Sequence, residues 1–176
     1  MNKIERLILD NNVLKYGSFL VSSGKIDNNY LDHYSFLCDP YLLYTITNEI
    51  VCCFDRNQYD RIAGIEIGSI PLAVSLSLLT HKPYIIVRKK KKEYGLRNII
   101  EGELKPGDRV EIIEDVTATG QTLLNAIHAV EDNQGIVTSV VVVIDRDEGA
   151  EDRLKELGYN VRILSHFKNI VNISSK

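Results

Sequence analysis

Residues 137–144 read Val-Thr-Ser-Val-Val-Val-Val-Ile, a near-continuous apolar run dominated by β-branched side chains. A strand with one wet face alternates apolar and polar positions. This run hardly alternates, which marks a strand buried on both faces, as in a parallel sheet with helices packed on either side. A chain of 176 residues is long enough to build the core that such a strand needs.

The rest of the chain supplies the alternation of strands and helices that a sheet of this kind requires. Ile4, Leu7, Ile8 and Leu9, set among charges, make residues 3–14 an amphipathic helix. Tyr16 to Tyr34 alternates loosely around Ser23-Gly24, a hairpin signal. Residues 40–55 read as a helix, with Asp39 as its cap and Pro40 at its first position. Strands are expected at Arg61–Ile67, Tyr84–Val87, Val110–Ile113, Val137–Ile144 and Val161–Leu164. Helices are expected from Pro71 through Leu79, at 122–133 and at 149–157, with 168–176 as a frayed tail. The expectation is an α/β fold: one domain over residues 1–176, its mainly parallel, twisted sheet flanked by helices, with about residues 1–35 as a small N-terminal element.

In open parallel sheets ligands bind at the carboxyl ends of the strands. Four segments rich in functional side chains fall there: 64–71, 88–95, 114–122 and 145–149. In the third, an apolar strand runs into two adjacent acids, Glu114 and Asp115. Val116, Thr117, Ala118, Thr119, Gly120, Gln121 and Thr122 follow as a loop that leads into a helix. Unpaired amides and hydroxyls at a helix N-terminus suit a phosphate. The acid pair beside it suits ribose hydroxyls or oxygen-bound Mg²⁺. No Gly-Lys-Ser/Thr is present, so this is not a Walker A loop, and a single glycine does not make a Rossmann fingerprint.

Composition narrows the setting. With 44% hydrophobic and 26% charged residues the chain is globular rather than disordered. A net charge of −3 offers no general attraction to nucleic acid or to a membrane surface. Cys38, Cys52 and Cys53 form neither a metal-binding spacing nor a disulfide framework, which points to the cytoplasm. The first residues lack a signal-peptide core, and no apolar run approaches the length of a membrane span.

The segment Glu114-Asp115-Val116-Thr117-Ala118-Thr119-Gly120-Gln121-Thr122 resembles the ribose-5-phosphate loop of the type I phosphoribosyltransferases, which bind phosphoribosyl diphosphate (PRPP). The basic run Arg88-Lys89-Lys90-Lys91-Lys92-Glu93-Tyr94-Gly95 is similar to the Arg-Lys-x-x-Lys loop of the orotate phosphoribosyltransferases. Asp145-Arg146-Asp147-Glu148-Gly149 resembles their Asp-Arg-x-Glu-Gly. Gly17-Ser18-Phe19 through Ser23-Gly24, then Tyr30 and Asp32, resembles their N-terminal hood, and Gly64 to Ala73 their pyrophosphate-binding loop. The resemblance runs in order from about Tyr16 to Gly158.

What the resemblance implies is the type I phosphoribosyltransferase fold and the Mg²⁺-dependent transfer of ribose 5-phosphate from PRPP to orotate. The products would be orotidine 5′-monophosphate and pyrophosphate, in the biosynthesis of UMP. Lys92, Lys89 and Asp115 would be catalytic. PRPP would be bound by Arg88, Lys89, Lys92, Tyr94, Glu114, Asp115 and residues 116–122, and orotate by Arg146, Ala118 and Lys25. Magnesium would travel on the substrate rather than in a protein-built site. A homodimer is implied, with loop 88–95 shared across subunits. Two positions depart from the family: Ser22 stands where many members carry lysine, and Ala118 where threonine is common. They suggest one rival reading, transfer to another base; a second rival is a non-catalytic PRPP-binding regulator, as some relatives with this fold are.

Overall fold

The computed structural model describes residues 1–20, 24, 26–54, 58–89 and 99–174. Its centre is a six-stranded sheet. The strands are β3 (Arg61–Ile65), β4 (Tyr84–Val87), β5 (Ile100–Glu101), β6 (Arg109–Thr117), β7 (Ile136–Asp145) and β8 (Val161–His166), in the order β5-β4-β3-β6-β7-β8. All neighbours are parallel except β5, which runs against β4 at the edge. A separate hairpin pairs β1 (Leu14–Leu20) with β2 (Ile26–Leu31).

The valine run behaves as its composition requires. Val140 and Val142 pack into a core with Leu123, Ile127 and Val130 of α5 (Gln121–Asp132) and Leu154 of α6 (Ala150–Glu156). Val141 and Val143 enter the opposite core, with Ile46 and Ile50 of α3 (Pro40–Val51), and Leu72 and Leu76 of α4 (Ile70–Thr80). All four valines are buried. Removing each from water is worth roughly 1.5–3 kcal/mol, so β7 anchors both layers.

The helix boundaries follow local chemistry. Asp39 caps α3 by accepting the amides of Tyr41 and Leu42, each at 2.9 Å, with Pro40 in the first turn. The first helix, α1 (Lys3–Asp10), opens on a capping box between Asn2 and Glu5. It stops four residues short of the expected 14. The Asn11 side chain bonds back to the Leu7 carbonyl and Asn12 takes a positive φ, so the chain turns into β1. Two short elements come in addition to those expected: α2 (His33–Leu37), capped by Asp32, and β5.

The expected frayed tail is a correction. Residues Phe167–Ser174 form α7, which buries Ile170 and packs against α1 and β8. The spacing of Phe167, Ile170 and Val171 gives that helix one apolar face. Among the described residues no helix is long and apolar enough to cross a membrane.

Candidate active site

The carboxyl ends of β3, β4, β6 and β7 open into one cleft of about 580 Å³, within the range of small-molecule sites. The acid pair sits at its floor. The sequence pattern ended the strand at Ile113, but β6 continues to Thr117, because β7 goes on pairing with it at Glu114, Val116 and Thr117. Glu114 and Asp115 are thereby held by the sheet itself, and both are buried.

Ser69 and His33 reach that pair from other elements. The Ser69 hydroxyl donates to Glu114 Oε2 at 2.6 Å and accepts the Asp115 amide at 3.2 Å. His33 Nε2, at the start of α2, lies 3.4 Å from Asp115 Oδ2, and its ring packs against Tyr34. Gly68 lies so close to the Asp115 carboxylate that a Cβ there would collide with it. Burial pushes the Glu114 carboxyl well above the ordinary glutamate range, and the Asp115 charge pushes the same way. The Ser69 hydroxyl and the Lys89 ammonium oppose that rise.

The wall next to the acids is the turn into α5. Gly120 takes a φ of 75° at the helix cap and gives it no side-chain bond, so the first amides of α5 remain available to an anion. A side chain at Gly120 would also meet Ala150 at 3.2 Å. Val116, Ala118, Thr119 and Thr122 line the cleft, as does the buried Thr117. Gln121 lines it too, though its amide is engaged outward, with Asn125 at 2.9 Å and Arg153 at 3.0 Å.

Of the two basic residues at the end of β4, only Lys89 reaches the main cleft, and both line a smaller cavity beside it, of about 130 Å³. Lys89 acts electrostatically on Glu114. Arg88 has its guanidinium 3.6 Å from Glu66 and 4.0 Å from Glu101. Lys92, Tyr94, Ser22 and Lys25 lie outside the described residues.

Arg146 closes the opposite side, at the end of β7. Asp27 of β2 lies 3.3 Å from its Nη2, and the guanidinium sits over the Phe167 ring at 5.4 Å. Its Nε is buried, has no hydrogen-bond partner among the described residues, and comes no nearer to Glu148 than 3.7 Å. A buried donor left open on a planar fork suits a carboxylate or carbonyl pair. Behind this loop Asp145, Glu151 and His166 place possible metal-ligand atoms within 4.8 Å of one another. These groups are already engaged: the Asp147 carboxylate holds His166 Nδ1 at 2.8 Å, Lys155 holds Glu151 at 2.6 Å, and the Asp147 amide donates to Asp145 Oδ1 at 2.9 Å.

The site residues expected at 89, 114–122 and 146 thus meet in one cleft, with Arg88 at its flank. His33, Tyr34, Glu66, Gly68, Ser69 and Glu148 were not among them. The segment 64–73 marked Gly68 and Ser69 only as parts of a loop. His33 and Tyr34 follow directly on the Tyr30 and Asp32 of the hood pattern.

Comparison with known proteins agrees with this geometry. Residues 42–174, most of the chain, match the phosphoribosyl transferase domain, which defines the class. Orotate phosphoribosyltransferase of Methanosphaera stadtmanae is 43% identical over 159 residues, covering 88% of this chain and 87% of that one. The crystal structure of orotate phosphoribosyltransferase from Aeropyrum pernix superimposes with a TM-score of 0.88 at 25% identity, with 98% of each chain covered. The Mycobacterium tuberculosis orotate phosphoribosyltransferase in complex with PRPP gives 0.72 at 26% identity, with 96% of each chain covered. The chain belongs to the phosphoribosyltransferase family, in its orotate branch.

Proposed function

We propose that this chain transfers the ribose 5-phosphate of PRPP to orotate, giving orotidine 5′-monophosphate and pyrophosphate in UMP biosynthesis. The observation that carries this reading is the single cleft lined by an anion-ready helix turn, a buried acid pair, Lys89 and Arg146. The 5′-phosphate would take the amides and hydroxyls of residues 117–122. The ribose hydroxyls would bond to Glu114 and Asp115. Arg146 would receive the orotate carboxylate or a ring carbonyl, with the hood hairpin above it.

In the reaction orotate N1 attacks C1 of the ribose while the bond from C1 to the pyrophosphate oxygen breaks; the electron pair leaves with pyrophosphate, and the N1 proton is given up to water. Positive charge gathers on C1 and the ring oxygen in the transition state. The protein positions the two substrates and offsets that charge shift. Lys89, joined by Lys92 from the basic loop, would neutralise the leaving pyrophosphate, and Asp115 would steady the electron-poor ribose. The oxygen donors at the cleft floor fit a hard cation. Mg²⁺ carried on PRPP and water oxygens would add charge neutralisation there, with Glu114 and Asp115 as its protein-side neighbours. We further propose that residues 1–176 act as one domain with 1–35 as hood, in the cytoplasm. The active form would be a homodimer whose loop 88–95 serves the neighbouring site.

A panel of bases tests the reading. With PRPP and Mg²⁺, orotate should yield orotidine 5′-monophosphate and pyrophosphate in equal amounts, while adenine, hypoxanthine and uracil yield none. Turnover of another base, with none of orotate, would refute it and give weight to the departures at Ser22 and Ala118.

A further inference from the structure

Ser69 occupies the N-cap position of α4, yet its hydroxyl makes no bond to that helix. The side chain is fully buried and faces the acid pair instead. Its Oγ lies 2.6 Å from Glu114 Oε2 and 3.3 Å from Asp115 Oδ1, and it accepts the Asp115 amide at 3.2 Å. A hydroxyl has one proton and two lone pairs, so the proton goes to Glu114 and a lone pair to the Asp115 amide. One small group thus fixes the side chain of one acid and the backbone of the other.

The neighbouring glycines serve the same approach. Gly68 lets the loop backbone rest against the Asp115 carboxylate. At Gly64, a Cβ would meet Ala73 Cβ at 2.7 Å and the Ser69 carbonyl at 3.0 Å. Both positions therefore require the missing side chain if Ser69 is to sit where it does.

We propose that Ser69 is a positioning residue for PRPP. It ties the loop after β3, on the pyrophosphate side, to the acid pair on the ribose side, so that both halves of the substrate meet one rigid unit. This rests on the reading of the cleft as a PRPP site.

The test is steady-state kinetics with orotate, PRPP and Mg²⁺ on the wild type, Ser69→Ala, Glu114→Ala and the double variant. Melting temperatures are measured alongside. Ser69→Ala should lose about tenfold or more in kcat/KM for PRPP while the KM for orotate stays within about twofold. Ser69→Ala should cost at least about threefold less in the Glu114→Ala background than in the wild type, because the contact to the Glu114 carboxylate is then already gone and only the bond to the Asp115 amide remains to be lost. Wild-type kinetics in Ser69→Ala, or losses that simply multiply, would overturn the proposal. If Ser69→Ala does not fold, Ser69→Cys, close in size and a weak donor, takes its place. If the wild type turns over no orotate, the functional reading falls separately. Calorimetry of PRPP with Mg²⁺ then decides on Ser69: about tenfold weaker binding in the variant supports the tie, and equal binding overturns it.

Discussion

Replacing Gly68 by alanine is the most informative single change in the cleft. The added Cβ would collide with Asp115 Oδ2 and lie 2.6 Å from Cγ and 2.9 Å from Oδ1, where ordinary contact begins at 3.4 Å. The carboxylate cannot back away freely, because Oδ2 faces His33 Nε2 and Oδ1 lies 3.3 Å from the Ser69 hydroxyl. Either the acid or the loop must therefore yield by about 1 Å, a displacement that can cost on the order of 10²-fold when it falls on a group holding substrate. The expected result is about a 10²-fold drop in kcat/KM for PRPP, or roughly 2.7 kcal/mol. The circular dichroism spectrum should be unchanged, since the collision is confined to one loop residue and one carboxylate. The assay is initial-rate kinetics over a matrix of PRPP and orotate concentrations. Wild-type kcat/KM for PRPP in a folded Gly68→Ala protein would refute the placement of Asp115 against the substrate.

Three further changes probe the remaining walls. Arg146→Ala should raise the KM for orotate about 10- to 100-fold, the value of a charge-assisted hydrogen bond, and leave PRPP binding by calorimetry intact. A parallel loss of PRPP affinity would remove Arg146 from the base site. Glu114 has a folded-state pKa raised above its ordinary 4.5. Its contribution to stability is therefore complete below that pH and is lost as pH rises through the higher folded value. Glu114→Gln should accordingly melt higher than the wild type at neutral pH, by a margin that shrinks as the pH falls toward 4.5, while its activity drops. A margin that widens on acidification would contradict the burial argument. Lys92→Ala should lower kcat by about 10²-fold or more with an unchanged melting temperature, as expected for a cation facing the leaving pyrophosphate. Normal turnover would exclude that role.

What could be read ahead of the structure was whatever is written in contiguous residues. The valine run announced a strand buried on both faces, because burial acts on every successive side chain. The segment 114–122 and Arg146 stood out because anion and carboxylate recognition need particular residue types in a short stretch. The end of β6 was misplaced because acids suggest a loop locally, whereas pairing with β7 carries the strand through them. The helix at 167–174 was missed because its apolar face is small and needs α1 to cover it. Least legible were contacts between distant segments: Ser69 with Glu114, 45 residues apart, and Arg146 with Asp27, 119 residues apart. Neither leaves a local pattern, and together they join the loop after β3 and the β1–β2 hairpin to the site.

The most direct test follows orotate absorbance over time with the purified protein, PRPP and Mg²⁺, and with each component omitted in turn. The cleft described above predicts a steady loss of orotate only in the complete mixture, matched by orotidine 5′-monophosphate and pyrophosphate. Unchanged absorbance in the complete mixture, from a folded protein that still binds PRPP, would contradict orotate transfer and leave a PRPP site serving a different base or a regulatory role.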